Sequence, residues 1–299
     1  MQDLWAMKII LTGSLGNISQ PLATSLVRQG HAVTIISRQT ERRPAIEALG
    51  ATAAIGSVDD PEFLARTFEG ADAVYLMVPP SFQEPDSRAY HQRIGRHYAR
   101  AIKQSGVRRV VQLSSWGAHL AEGTGGILGT HDVEMILKTV PGLDLTHLRP
   151  TSFYTNMNSF AGLIKAQGII GVNYPGTTRV AFVHPLDIAT AAAEELAQPY
   201  LTTNQTVRYV ASDERTADEV AQVLGAAVGQ PDLRWVAFTN EQMRENLVVN
   251  GVPPDRASEI ADIYASIGSG KLGEDYEQHK PAMGQVKLED FAQEFAAAF

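Results

Sequence analysis

The chain has 299 residues, 44% of them hydrophobic, no cysteine and a formal net charge of −8. That is enough apolar material for a sizeable core in one large domain or two, and the acidic balance argues against a nucleic-acid partner, whose backbone demands clustered positive charge. Lack of cysteine removes disulfides, thiolate metal sites and a cysteine nucleophile; no apolar run nears the ~18 residues of a membrane span and the start does not read as a signal peptide, so the expected address is the cytosol, with no membrane partner.

Residues 1–6 precede the first strand and receive no role. Lys8-Ile9-Ile10-Leu11 is a short apolar run, which reads as a buried strand, and it stops at a glycine turn followed by a helical pattern of Ile18, Leu22 and Leu26. A helix that starts over such a turn presents unpaired N–H groups and the positive end of its dipole, a seat for a pyrophosphate. Gly13 suits the sharp turn and Gly16 the close approach of backbone to phosphate. In the GxxGxxG spacing the third glycine is replaced by Ser19, still a small residue. The expected dinucleotide contacts here are Gly13, Ser14, Leu15, Gly16, Asn17 and Ile18; the alternative is a plain strand-to-helix turn.

Ala32 to Ile36 reads as a second strand ending in Ser37-Arg38, where the acidic residue that holds a ribose 2′-hydroxyl is absent. A guanidinium at Arg38 suits a 2′-phosphate, since it donates two charge-assisted hydrogen bonds in one plane; a solvated surface charge is the alternative. Arg42 and Arg43 add positive field or are simply exposed. A helix over Glu41–Leu49 and a third strand over Ala51–Ile55 follow, with Gly56 and Ser57 beyond its end as further cofactor candidates. Asp60 before Pro61 and Glu62 reads as a helix cap rather than a ligand. Ala71 to Val78 forms a fourth strand, ended by Pro79-Pro80, with Val78 and Pro79 at the ligand edge. A charged helix over Gln83–Gln104 and a fifth strand over Arg108–Leu113 come next, with Ser114 at its carboxyl end. Strand, helix and strand units of this length imply right-handed crossovers and a parallel sheet that binds ligands beyond the carboxyl ends of its strands.

A glycine-rich link, Gly123–Gly129, leads into a helix over His131–Lys138 and a sixth strand from Leu143 to Leu148 before Arg149-Pro150. From Thr151 the alternation loosens. Phe153, Tyr154, Asn156, Met157 and Phe160 form an aromatic and polar cluster, in which Tyr154 and Asn156 are expected to line a substrate pocket while Phe153 and Phe160 suit a core. A strand from about Val180 runs into a helix with Asp187 near its start, read as structural. Beyond Tyr200 the expectation is a strand over Thr206–Val210, a helix over Thr216–Val228 entered through Ser212–Arg215, a strand over Leu233–Phe238, a helix opened by Thr239-Asn240, another over Asp255–Ile267, and a last helix over Leu288–Phe299 docking on the body or on a second subunit of a homodimer. No metal-ligand spacing is found.

The fold expected is therefore α/β: a Rossmann doubly wound parallel sheet over residues 1–152 and a smaller C-terminal α/β lobe over 153–299, with a segment near 180–197 returning to the Rossmann sheet. On Thr12–Ile18, Ser37-Arg38, Ala73–Pro79, Val110–Ser115, Glu134 with Leu143–Pro150, and Phe182–Ala189, the chain resembles the NmrA-like branch of the atypical short-chain dehydrogenases/reductases. Its departures are Ser19 and Thr151, each where glycine is common. The resemblance implies NADP(H) as cofactor and either an NADPH-dependent reductase of small electron-poor acceptors such as quinones or a non-catalytic NADP(H)-sensing regulator; a nucleotide-sugar epimerase is a weaker third reading. The Tyr-x-x-x-Lys pair of typical relatives, in which lysine eases the tyrosine's proton transfer, is absent. His131 stands where related reductases place a lysine and is the candidate ribose partner or proton donor, histidine being the side chain that ordinarily titrates near neutrality; an ordinary helix-start residue is the alternative. The candidate catalytic set is His131, Ser114 and Tyr154, with Ser114 and His131 also touching cofactor.

Overall fold

The computed structural model describes residues 6–81, 84–198, 200 and 202–299. The chain divides into two compact units: one takes the described residues up to Ser114 together with Gly129–Arg149 and Ile188–Arg208; the other takes Ser115–Leu128, Pro150–Asp187 and Tyr209–Phe299.

In the first unit, apolar stretches alternate with amphipathic ones in chain order: β1 (Lys8–Leu11), α1 (Ser19–Arg28), β2 (Ala32–Ser37), α2 (Arg43–Ala48), β3 (Thr52–Ile55), α3 (Pro61–Phe68), β4 (Ala73–Leu76), α4 (Ser87–Ser105), β5 (Arg109–Leu113), α5 (Ile127–Lys138) and β6 (Asp144–Pro150). Every side chain of β4 is buried, as expected for a strand covered on both faces. The strands form a seven-stranded sheet in the order β10 (Asn204–Val210), β6, β5, β4, β1, β2, β3. β1 pairs with β2 and β4, β2 with β3, β4 with β5 and β5 with β6, all in parallel. Strand order reverses between β1 and β4, the switch point at which a doubly wound sheet opens a crevice beyond its carboxyl edge. One face of the sheet meets α3, α4 and α5 through Ile10, Val74, Val110, Leu145, Phe68, Ile94, Val133 and Leu137. Asp60 and Asp86 cap α3 and α4 by accepting from Phe63 N and Ala89 N at 2.9 and 2.8 Å, each cap contributing about 1 kcal/mol.

The second unit holds two small sheets. In one, β9 (Arg179–Val183) pairs antiparallel with β11 (Asp213–Thr216) and parallel with β7 (Ser152–Phe153); in the other, β12 (Arg234–Ala237) pairs parallel with β8 (Ile169–Val172). Around them lie α6 (Ala161–Gln167), α8 (Ala217–Ala227), α9 (Asn240–Val249), α10 (Pro254–Gly268), α11 (Glu274–Gln278) and α12 (Leu288–Ala298), while α7 (Pro185–Leu196) passes from this unit into the first at Ile188. Thr216 and Thr239 open α8 and α9 with reciprocal bonds to Glu219 and Gln242. The buried stripe Leu288, Phe291, Ala292 and Phe295 joins α12 to this unit's own core.

Several boundaries differ from the sequence reading. The helix expected from His131 begins four residues earlier, at Ile127. The helix expected from Gln83 begins at Ser87, and Gln83 lies outside the described residues. The Thr206–Val210 strand, expected in the small lobe, takes the outer place beside β6. The strand near Val180, expected to return to the Rossmann sheet, pairs with β7 and β11 instead. The latter two are choices of pairing partner, which strand composition does not encode.

Candidate functional site

The first turn is built for backbone, with little room for side chains. Gly13 has φ +94° and Ser14 has φ +53°, so both occupy the left-handed region. A Cβ at Gly13 would lie 2.4 Å from Ser19 Oγ and 3.1 Å from Met77 Cγ. Ser19, standing in the third glycine position, is buried and donates to Thr12 O at 2.9 Å, so its hydroxyl ties helix start to strand end. Thr12 Oγ1 accepts from Met77 N at 2.8 Å, locking the ends of β1 and β4 across the switch point. Gly16 and Asn17 are exposed and Leu15 half-exposed, while Ile18 is buried and provides no side-chain cap for α1. The first turn of α1 contains no acidic residue, so an anion over it meets N–H groups and the positive dipole end without a competing carboxylate.

At the end of β2 the structure brings Ser37 to the same turn: Ser14 Oγ donates to Ser37 Oγ at 2.9 Å. Arg38 follows, exposed, and its guanidinium has no hydrogen bond or ion pair among the described residues. Its neighbours differ. Arg42 Nε is held by Gln39 Oε1 at 2.9 Å and Arg43 faces Glu47 at 3.5 Å. Of the three arginines, Arg38 is the one with no side-chain partner among the described residues.

Two other candidates are explained locally. A Cβ at Gly56 would overlap the Phe63 ring at 2.5 Å, so this glycine is required by α3 packing. Ser57 Oγ accepts from Asp59 N at 3.1 Å and shapes the turn. Asp59 itself is bound by Arg93 Nε at 2.9 Å, and Arg93 also reaches Glu84 at 2.7 Å. Val78 and Pro79 are half-exposed just past β4.

Ser114 follows β5 directly and is 6% exposed. Its Oγ donates to Glu134 Oε1 at 2.5 Å. Glu134, 1% exposed on α5, is held by Arg149 from β6: Nε to Oε1 at 2.9 Å and Nη2 to Oε2 at 2.8 Å. Burial by itself raises the Glu134 carboxyl, but the Arg149 guanidinium and the Ser114 hydroxyl more than offset it, and the group stays below the usual range. His147 interacts with Glu134 electrostatically; its Nδ1 lies 2.5 Å from Gln112 Oε1, and burial pushes its imidazole down to about 4. The sequence carried a signal for this network: Glu134 sits on the inward stripe of α5 with Val133 and Leu137, and Arg149 follows Leu145 and His147 on one face of β6.

His131 is half-buried on α5. Gly129, whose missing Cβ would fall 2.6 Å from His91 Cγ, lets this end of α5 approach α4 closely. Arg88 then clamps the adjacent Asp132 with Nε and Nη2 at 2.6 and 2.9 Å, and Gln92 adds a third bond at 2.7 Å. His131 is thereby carried on a helix end fastened at its next residue.

Tyr154 is a correction. It is fully buried in the second unit, stacked between Phe182 and Phe291 with ring centroids 5.7 and 5.3 Å away and interplanar angles of 14° and 11°. Burial raises its phenol well above the ordinary value, so it neither lines an open pocket nor exchanges a proton near neutrality. Of the two phenylalanines expected in the core, Phe160 is partly buried and packs against it beside Trp235, and Phe153 is half-exposed. Two flat rings on either side supply more buried apolar area than the phenol's polar tip resists. Asn156 is exposed on the 3-10 turn Tyr154–Phe160 of the same unit. Asp187 accepts from Ser212 Oγ, Gln285 N and Val286 N at 2.5, 2.9 and 3.2 Å, a structural anchor for the C-terminal segment. Among the described residues there is no cluster of metal-ligating side chains and no helix long and apolar enough to cross a membrane.

Comparison with known proteins agrees with this geometry. The chain is 25% identical over 259 residues to an NAD(P)H azoreductase of Xenophilus azovorans, covering 86% of each chain. It is 27% identical over 248 residues to a (4-alkanoyl-5-oxo-2,5-dihydrofuran-3-yl)methyl phosphate reductase of Streptomyces griseus, covering 82% of each. The fold superposes on an Escherichia coli NADPH-dependent quinone oxidoreductase solved with NADPH at a TM-score of 0.80 with 20% identity, covering 96% of this chain and 99% of that one. On a Citrobacter sp. triphenylmethane reductase solved with NADP(H) the TM-score is 0.78, with the same identity and coverage. Residues 13–199 match the model of the NAD(P)H-binding family. Residues 13–199 being more than half of the chain, that match makes it a member of the NAD(P)H-binding family, and its sheet order is that of a Rossmann fold.

Proposed function

We propose that this NAD(P)H-dependent oxidoreductase uses NADPH to reduce a small electron-poor acceptor of the quinone or azo class. The observation that carries the coenzyme choice is Arg38, whose guanidinium has no hydrogen-bond or ion-pair partner among the described residues and follows β2 where an NAD-selective site needs a carboxylate. The relatives named as azoreductase and furanone-phosphate reductase support the reaction class.

The residues present fit the coenzyme: a left-handed turn in which Gly13 has no room for a Cβ, a helix start free of acid, and a guanidinium one strand away. When bound, the reduced nicotinamide supplies the hydride. The protein's work is binding and orientation. The Gly13–Ile18 turn holds the diphosphate with main-chain donors. Arg38 grips the 2′-phosphate, with Ser37 and Ser14 beside it. Val78 and Pro79 close the edge past β4. Ser114 orients the nicotinamide end, and His131 bonds the adjoining ribose or delivers a proton to the reduced acceptor. Acceptors that take hydride directly need no strong protein acid, in keeping with the missing Tyr-x-x-x-Lys pair.

Stopped-flow mixing of the NADPH-loaded protein with a panel of quinones and azo dyes tests this. The expected result is loss of NADPH absorbance at least tenfold faster than with free NADPH for one or more acceptors. Tight NADPH binding with no acceptor oxidising it faster than free coenzyme would leave a dinucleotide sensor in place of an enzyme.

A further inference from the structure

A serine hydroxyl has one proton to give. In this protein the proton of Ser114 is already committed: Oγ donates to Glu134 Oε1 at 2.5 Å, and Glu134, gripped through both oxygens by Arg149, is an acceptor only. What remains on Ser114 Oγ is lone-pair density. We propose that Glu134 sets the hydrogen-bond polarity of Ser114, so that the serine meets bound coenzyme as an acceptor and selects a group bearing N–H, the carboxamide of the nicotinamide. The proposal rests on the reading above that Ser114 lies at the nicotinamide end of the site. It makes Glu134 a positioning residue, acting through Ser114 without touching ligand.

The surrounding groups reinforce this direction. Lys138 Nζ stands 3.5 Å from Glu134 Oε2, so that oxygen faces two cationic donors, Lys138 and Arg149 Nη2, while Oε1 faces Arg149 Nε and the serine. Arginine and lysine have nothing but donors to offer. No arrangement of this cluster with Glu134 ionised lets Ser114 keep its proton for a ligand without leaving the serine's own bond unmade. The network is also well anchored: Ser114 N donates to Leu148 O at 2.7 Å, which fixes the serine's backbone at the end of β5.

Glu134→Gln gives a sharp consequence. Either orientation of its amide sets the NH2 against an Arg149 donor; the oxygen belongs opposite Arg149 Nη2 and Lys138, where two cationic donors converge, and the NH2 then faces the single Nε–H and turns toward Ser114 Oγ. The serine then accepts from the glutamine, and its proton is released toward the ligand. The polarity reverses at the cost of one donor–donor contact with Arg149 Nε.

The test is calorimetric binding of two probes, NADPH and its 3-acetylpyridine analogue, whose acetyl group keeps the carbonyl but has no N–H. Wild type is expected to bind NADPH roughly five- to tenfold more tightly than the analogue, the value of one hydrogen bond to an otherwise unsatisfied acceptor. Ser114→Ala is expected to bring the ratio within about twofold of unity, Glu134→Gln to abolish or invert it, and the double variant to match Ser114→Ala. Loss of the preference in Ser114→Ala but its full retention in Glu134→Gln would overturn the role of Glu134. Equal binding of both probes by wild type, or an unchanged ratio in Ser114→Ala, would overturn the carboxamide contact while leaving NADPH binding intact. Failure of wild type to bind either probe would remove the coenzyme reading itself, and this inference with it. Should Glu134→Gln not fold, Ser114→Thr takes its place, since it keeps the hydroxyl and its bond to Glu134: it is expected to retain the preference that Ser114→Ala loses, and equal ratios in those two variants would count against the idea.

Discussion

At Arg38, exposure and the lack of a hydrogen-bond or ion-pair partner among the described residues make the guanidinium available to a ligand phosphate. Charge-assisted hydrogen bonds of this kind contribute about 1.5–3 kcal/mol, so Arg38→Ala is expected to weaken NADPH by roughly ten- to a hundredfold while NADH changes by less than about twofold. Titration calorimetry with both coenzymes checks it, and equal losses would sink the phosphate assignment. His147 gives a second expectation at this scale. Burial holds its imidazole at about 4 in the folded protein, against about 6.5 in an unfolded chain. Because the unfolded state takes up the proton first, the stabilisation from keeping His147 neutral is complete above pH 6.5 and is lost as pH falls from there to about 4. That window is worth about 3 kcal/mol. Urea unfolding of His147→Gln should therefore show a loss of stability relative to wild type that shrinks by about that amount between pH 7 and pH 4; a loss independent of pH would contradict it. Arg38 was legible from its place after a strand. The burial of Tyr154 was not, since a tyrosine in a mixed aromatic and polar stretch reads the same whether its ring stacks in a core or faces a pocket.

The decisive element is the turn between β1 and α1. Gly13 combines a left-handed backbone with a Cβ position that Ser19 and Met77 already crowd, whereas Gly30, at φ +88°, has nothing within 4 Å of its Cβ position. The two glycines separate strain from crowding. Gly30→Ala is expected to cost about 1 kcal/mol from backbone strain alone. Gly13→Ala is expected to cost at least about 2 kcal/mol and, by shifting Ser19 and with it the start of α1, to weaken NADPH more than tenfold. Thermal denaturation and coenzyme titration of both variants make the comparison; similar losses in the two would mean that the turn is not under steric control. Elements with strong local signals were readable in advance: the caps Asp60 and Thr239, the near-continuous apolar run of β4, and the amphipathic stripe of α12. Short strands were not. The two residues of β7 and the polar Asp213–Thr216 of β11 have no periodicity long enough to show, and they are strands because β9 offers them an edge.

For the whole molecule, alternating apolar runs and amphipathic stretches in the first 150 residues were sufficient to specify a doubly wound sheet, because parallel strands joined by helices have few connections open to them. The carboxyl edge of the sheet followed from that, and with it the places of Gly13, Arg38 and Ser114 just past strand ends and of Ser37 as the last residue of β2. Pairings remote in sequence were left to the folded chain: β10 beside β6, β9 with β7 and β11, and Glu134 between Ser114 and Arg149. Local residue preferences act over a few positions and so can be read along the chain; which distant strand offers an edge, and which buried charge finds its counterion, depends on contacts that exist only once the chain has closed on itself.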